Sequence, residues 1–225
     1  MWELLWKRQH DYISIRWTRE LTRKKITSPT FNSPFIYFEN QPEWMIEISI
    51  DSEWDTFTSV TPPFNNSHGW NIKSDGDTVN VDGKETDNLF YELAVKKIQL
   101  SRNGENFSSK DELIDFLYNS EFFDKMWFTQ QQKEDSLGYI IPKIEQANNY
   151  YLTILDPESI DTISQLTINP KPDNLLRRYF AIYPTNLPVG TDWGLNYPEH
   201  QNTQWYTVIE NGEFYIDDEM FVLWR

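Results

Sequence analysis

The chain reads as an α+β protein: an antiparallel, β-sandwich-like body carrying an insert of two to three helices over about residues 108–165. Three observations predict it. Apolar and polar residues alternate with period two in the first half of the chain and again near its C-terminus, the spacing of half-buried strands. Between these regions the spacing switches to i, i+3, i+4 behind two capping boxes. Asp-Gly and Asn-Gly pairs, which supply the positive φ of tight hairpins, fall between the alternating runs.

Residues 1–34 read as a basic arm and connector, ahead of a single α+β domain over residues 35–225. In the arm, Trp2, Leu5 and Trp6 form one face of a short helix, and Ile13, Ile15 and Trp17 an apolar strand face interleaved with Ser14 and Arg16. The prolines, serines and asparagine of residues 27–34 make an irregular connector. Residues 44–50 follow as a strand with Ile46, Ile48 and Ile50 on the core face. Residues 70–91 then read as a three-strand meander. Asp75-Gly76 and Asp82-Gly83 are its type I′ turns, and Val79 and Val81 share one side.

The helical stretch begins at Ser109, whose partner three residues on is Glu112, with Leu113, Phe116 and Leu117 at helical spacing behind them. Thr129 and Gln132 open a second helix that runs towards Pro142. A short third helix starts at Asp156-Pro157-Glu158, an acidic N-cap with proline at the first helical position. Asn169-Pro170-Lys171-Pro172-Asp173 is a stiff bend, and residues 175–183 are a strand. Residues 204–216 repeat the hairpin device, with Trp205, Thr207 and Ile209 before Asn211-Gly212 and Phe214 and Ile216 after it. A last strand over residues 220–224 closes the sheet.

Composition narrows the function classes. Ten Trp, 12 Tyr and 14 Phe provide enough apolar area to exclude disorder over most of the chain. Cysteine is absent, so disulfides, thiolate zinc sites and a cysteine nucleophile are excluded. The formal charge is -15, and it is unevenly spread. Lys7, Arg8, Arg16, Arg19, Arg23, Lys24 and Lys25 against Glu3, Asp11 and Glu20 make residues 1–25 net +4 and leave -19 for the remainder. That balance disfavours nucleic acid as a partner of the body but not of the arm. The first residues lack a basic start with an apolar run behind it, and no stretch approaches the length of a bilayer span; neither a signal peptide nor a membrane helix is expected.

Catalytic motifs are sparse. His10, His68 and His200 show no metal-ligand spacing, and no G-x-S-x-G, P-loop or dinucleotide fingerprint occurs. Asp75, Asp77, Asn80 and Asp82 are close enough to hold calcium, but the EF-hand order is not met and turn chemistry accounts for each. Asp217-Asp218-Glu219 offers carboxylates for glycoside hydrolysis, yet adjacent strand residues point to opposite faces. No catalytic residue, cofactor or metal is expected.

One resemblance rests on a series of short motifs. Gly69-Trp70, Asp75-Gly76 and Asp82-Gly83-Lys84 lead to Leu89-Phe90-Tyr91-Glu92. Ser109-Lys110-Asp111-Glu112-Leu113, Phe128-Thr129-Gln130, Tyr139-Ile140-Ile141-Pro142-Lys143, Tyr150-Tyr151-Leu152 and Pro170-Lys171-Pro172-Asp173 follow. In order and spacing, over about residues 44–188, the chain resembles an uncharacterised domain family of predicted bacterial and large-DNA-virus proteins. It departs from that pattern at Thr86-Asp87-Asn88, where the family carries Tyr-Asp-Tyr, and at Gly138, which interrupts the second helix. The resemblance implies a β-rich body with a helical insert, attached in many members to something larger, and no catalytic residues.

The expectation is therefore a non-enzymatic structural protein that mediates protein-protein contacts in a large assembly, a minor capsid or cement protein of a large DNA virus, located in the virion or a cytoplasmic assembly. Its partners are other coat components or copies of itself, contacted through Trp2, Trp6, Arg16, Trp17, Arg19, Arg23, Lys24 and Lys25 of the arm. The alternative is a carbohydrate-binding module of a surface protein that stacks sugars on Trp44, Trp54, Trp70, Trp193 or Trp205. A third reading, a hydrolase built on Asp and Glu, requires two carboxylates converging in a cleft.

Overall fold

The structure, a computed structural model, describes residues 30–32, 34–52, 57–76, 78–95, 97–186, 194–200, 204–216 and 221–224. It is mostly β, and the strands form two facing sheets and a small ribbon. The larger, eight-stranded sheet runs in the order β1 (Thr30–Asn32), β8 (Leu89–Val95), β2 (Phe35–Glu39), β14 (Thr207–Tyr215), β13 (Asn174–Thr185), β11 (Asn149–Leu155), β10 (Gly104–Phe107), with β4 (Phe57–Thr61) paired to β8. The five-stranded sheet has the order β12 (Gln165–Asn169), β3 (Met45–Asp51), β5 (Gly69–Ser74), β6 (Val79–Val81), β7 (Lys84–Thr86). In the ribbon, β9 (Lys97–Leu100) pairs with β15 (Phe221–Trp224). Among the described residues pairing is antiparallel except for two parallel pairs, β13 with β14 and β15 with β9.

Strand alternation separates two cores. In β13, Tyr179 and Ala181 face the smaller sheet, whereas Phe180 and Ile182 face the helices. Between the sheets, Ile46, Ile48 and Ile50 of β3 pack with Trp70, Val79 and Val81, and with Leu89, Tyr91 and Leu93 of β8. Edge-on ring contacts link Phe57 to Phe64 at 4.9 Å and Phe64 to Trp70 at 4.7 Å, joining the two sheets through aromatic area. On the other face lie α1 (Lys110–Asn119), α2 (Phe122–Lys125) and α3 (Gln130–Ile140), which continues into a 3₁₀ turn over Ile141–Lys143. Phe122 and Phe123 meet the Phe180 ring edge-on at 5.3 and 5.9 Å and anchor this layer. The architecture is thus small sheet, large sheet, helices.

Several expectations hold in detail. The β5, β6 and β7 strands form the meander, and Asp82 (φ 52°) with Gly83 (φ 87°) is the two-residue turn with both central residues left-handed. Ser109 caps α1 by accepting from the Glu112 amide at 3.1 Å, although Glu112 reaches back to Ser108 rather than to the cap. Thr129 and Gln132 form the full reciprocal box at α3, and Asp156 caps the short α4 (Pro157–Asp161) by accepting from the Ser159 amide at 2.8 Å.

Other expectations are corrected. Asn211-Gly212 is not a turn: β14 runs straight through it, with Asn211 paired to Arg178 on one side and to Phe35 on the other. A Cβ at 212 would overlap the Tyr179 ring, so glycine is required for close approach and not for a bend. At Asp75-Gly76 only the glycine has positive φ, and the connection is a wider loop closed by Thr78. The helical insert is interrupted by β11, a central strand of the large sheet, and α4 makes a fourth helix. Residues 30–32 of the expected connector form β1, which pairs with β8 and β14. The last strand does not close the large sheet; it pairs in parallel with β9. Gly138 leaves α3 unbroken.

Candidate binding cleft and exposed aromatic end

Four of the large apolar side chains exposed among the described residues, Trp44, Met45, Leu175 and Trp205, lie at the starts of β3, β13 and β14, whereas Tyr118 and Trp127 are exposed on the helical layer. Register sets Asn174 opposite Thr207, and Thr207 opposite Glu39, so the start of β13, the start of β14 and the end of β2 lie level. The Asp173 amide donates to the Tyr206 carbonyl at 2.9 Å and holds the preceding bend against the start of β14. Trp205 projects here at 67% exposure, and Leu175 is exposed beside it. The β2–β3 connection leaves from the same level and ends at Trp44, 58% exposed, with the exposed Met45 opening β3. The Trp44 carbonyl accepts from the Ser74 amide at 3.0 Å, which fixes the backbone that carries both.

Next to this end is a cleft of about 540 Å³, between α4, the first residues of β13 and the segment over residues 196–199. Met126, Ile154, Leu175, Leu176 and Tyr197 supply its apolar wall. Trp127 lies beside it in left-handed backbone (φ 59°), its indole N–H donating to the Pro198 carbonyl at 3.2 Å and its ring 4.1 Å from that of His200.

Two consecutive arginines line the cleft, and alternation along β13 gives them opposite environments. Arg177 turns to the space between the sheets. Its Nε donates to Glu210, and Nη1 to Asp161 at 2.7 Å and to the Ser164 carbonyl at 2.9 Å. Nη2 donates to the Ser164 hydroxyl at 3.0 Å. Burial alone would lower its pKa, but Glu210 and the surrounding tyrosines outweigh that and hold the guanidinium above its usual range. Arg178 turns towards the helices. It is 7% exposed, and Nη1 donates to the Trp127 carbonyl at 2.5 Å. Among the described residues no carboxylate lies within ion-pair distance of it, and burial pushes it down to about 10, offset only in part by the charge of Glu39.

A second polar cluster is sealed between α3 and β14. Glu213 is fully buried, and neither of its carboxylate oxygens has a hydrogen-bond partner among the described residues. The same holds for the Asn211 side chain and for the Ser136 hydroxyl. Burial pushes the Glu213 carboxyl up to about 8, with the charge of Asp135 adding to the effect and the charge of Lys143 opposing it. At the edge of this cluster Glu92 accepts from Lys143 at 2.9 Å, from Thr58 at 2.8 Å and from the Tyr139 hydroxyl. Burial alone would raise the Glu92 pKa; those three bonds outweigh it and hold the carboxyl below the usual range.

The residues singled out from the sequence are distributed as follows. Trp2, Trp6, Arg16, Trp17, Arg19, Arg23, Lys24 and Lys25 lie outside the described residues, as do Trp54, Asp77, Trp193 and the Asp217-Asp218-Glu219 run. Trp44 and Trp205 are exposed, but Trp70 is fully buried and donates its indole N–H to the Pro62 carbonyl at 2.8 Å, so it is no sugar platform. His68 occupies a turn with its ring 5.6 Å from Phe57. The oxygens considered for calcium serve turns. Asp75 accepts from the Thr78 amide at 2.8 Å, Asn80 from the Gly83 amide at 2.7 Å and Asp82 from the Asn65 side chain at 3.0 Å. Glu210 and Glu213 point to opposite faces of β14, so these two buried carboxylates do not converge. Among the described residues no three metal-ligating side chains gather, and no helix is long and apolar enough to cross a membrane.

Sequence reasoning missed Arg178, Glu210 and Glu213. A signal existed. Each is a charge inside an otherwise apolar run, Leu175 to Tyr183 for the arginine and Val208 to Ile216 for the glutamates, and a charge there must be paired or neutralised. Comparison with protein-family models, curated proteins and solved structures finds no match. The motifs that carry the resemblance occupy framework positions. Gly69 and Trp70 open β5, Leu89 to Glu92 lie in β8, and Tyr150 to Leu152 in β11.

Proposed function

We propose that this chain is a non-enzymatic structural protein that makes protein-protein contacts in a large assembly, with the virion shell of a large DNA virus as the setting that the motif resemblance implies. The observation that carries the reading is the exposure of Trp44, Met45, Leu175 and Trp205 at the starts of β3, β13 and β14. Scattered exposed apolar residues are ordinary, but a group of this kind with two tryptophans is what a docking face needs. The rings stand on strand starts tied by backbone hydrogen bonds, so little conformational entropy is lost when a partner covers them. Their acidic neighbours Glu43, Glu47 and Asp173 favour a basic partner surface, and the arm of another copy has that charge.

Sedimentation velocity of the purified chain over a wide concentration range tests the reading. The wild type is expected to associate as concentration rises, and the Trp44→Ser/Trp205→Ser double variant to remain monomeric. A wild-type chain that stays monomeric throughout and binds no co-occurring assembly component would overturn it. Glycan-array binding that disappears in the double variant would assign the same rings to carbohydrate instead.

A further inference from the structure

The cleft beside α4 contains a charge, that of Arg178, with no carboxylate in ion-pair distance among the described residues, and this points to a ligand. Arg177 and Arg178 adjoin in sequence and line the same cleft, yet only Arg177 has carboxylate partners among the described residues, Glu210 and Asp161. Arg178 is almost fully withdrawn from water and, among the described residues, donates to the backbone carbonyl of Trp127. Burying a guanidinium without a carboxylate is costly, and a planar fork of five donors retains capacity for a bidentate acceptor.

The surroundings define that acceptor. About 540 Å³ lies within the range of small-molecule sites and far exceeds what a single inorganic ion fills. The wall that continues from Arg178 is hydrocarbon and ring, from Met126, Ile154, Leu176 and Tyr197. Asp156, Asp161 and Glu199 also line the cleft, so a ligand with two or more negative charges meets repulsion that a single charge seated on Arg178 does not.

We propose that the cleft binds a small monocarboxylate with an apolar body, its carboxylate on Arg178 and its hydrocarbon against Met126, Ile154, Leu176 and Tyr197. The ligand contacts use none of Trp44, Met45 and Trp205, and Leu175 is the one residue that the cleft wall shares with the contact face.

Calorimetric titration of the full chain with octanoate, octanamide and inorganic phosphate tests it. Octanoate is expected to bind at least about tenfold more tightly than octanamide, and phosphate not to bind. Arg178→Gln is expected to weaken octanoate by about tenfold or more and to leave octanamide unchanged. Should that variant fail to fold, Leu175→Trp, made at an exposed position on the cleft wall, fills the cavity without touching the arginine and is expected to abolish octanoate binding. Equal affinity for acid and amide, octanoate binding unaltered by either variant, tighter binding of phosphate, or no binding by any probe would each overturn the proposal.

Discussion

The Tyr91 hydroxyl donates to Glu210 Oε1 at 2.7 Å, and the bond completes a charged cluster sealed between the two sheets. Glu210 is fully buried, and Arg177 supplies its counter-charge through Nε. The cluster links β8, β13 and β14 with Ser164, ahead of β12, and so joins the small sheet to the large one through polar atoms as well as apolar area. Burial, with Glu210 beside it, raises the Tyr91 pKa well above the ordinary phenol range, so the hydroxyl remains a donor at any working pH.

Removing either partner of Glu210 is therefore expected to cost stability unequally. Arg177→Met leaves a buried carboxylate without its counter-ion, at a cost of about 3–5 kcal/mol. Tyr91→Phe deletes one hydrogen bond to a charged acceptor, at about 1.5–3 kcal/mol. Denaturant unfolding of the two variants checks the order, and a larger loss for Tyr91→Phe would contradict the assignment of the ion pair as the dominant interaction.

Gly212 lies against the ring of Tyr179 in the middle of β14, with no room for a Cβ. Gly212→Ala is expected to lose about 1–3 kcal/mol through overpacking alone, since the backbone there is ordinary extended strand. Shortening the ring residue in the double variant Gly212→Ala/Tyr179→Leu makes room, so the two losses are expected to be less than additive. Full additivity would show that the glycine is required for some other reason.

Glu213 makes stability depend on pH. Its carboxyl rises from an ordinary value of 4.5 in the unfolded chain to about 8 in the fold, so between these values folding takes up a proton. The contribution is fully favourable below 4.5, is lost as pH rises through the window, and is flat above 8. The groups facing it are Ser136 and Asp135 of α3, Lys143 of the 3₁₀ turn and Tyr37 of β2. Glu213→Gln removes the ionisable group while keeping the shape. Unfolding curves measured between pH 5 and 8 are expected to fall more steeply for the wild type, with the variant the more stable at pH 8. Parallel curves would rule out a neutral buried Glu213.

Thr129 and Gln132 make the reciprocal box that starts α3: Thr129 Oγ1 accepts from the Gln132 amide at 3.3 Å, and the Thr129 amide donates to Gln132 Oε1 at 3.0 Å. Thr129→Ala is expected to cost about 1 kcal/mol, and Thr129→Ser to restore most of it. Because α3 covers Glu213, the Ala variant should also speed hydrogen exchange in β14 around residue 213. Exchange altered only within α3 would show that cap and strand open independently.

Legibility followed the range of the interactions. The β3 alternation, the β5–β7 meander, both principal caps and the Pro-rich bend were readable because each depends on residues within about four positions of one another. The strands β2, β4, β9, β10, β11 and β12 were not singled out, being short or continuously apolar, which periodicity does not distinguish from other buried segments. Asn211-Gly212 misled for the opposite reason: a strong local turn signal gave way to a long-range requirement, the Tyr179 ring.

By itself the sequence determined the class, α+β with a β-rich body, the helix starts, the tight turn at Asp82-Gly83 and the contrast between a basic arm and an acidic remainder. Only the tertiary structure decided which face each charge in an apolar strand would take. Alternation along β13 sends Arg177 to Glu210 between the sheets and Arg178 to a cleft beside the helices, and along β14 it parts Glu210 from Glu213. The alternation is local, but the layer that each face meets is set by pairings across the whole chain. The partner of each buried charge therefore has no signature in its own neighbourhood.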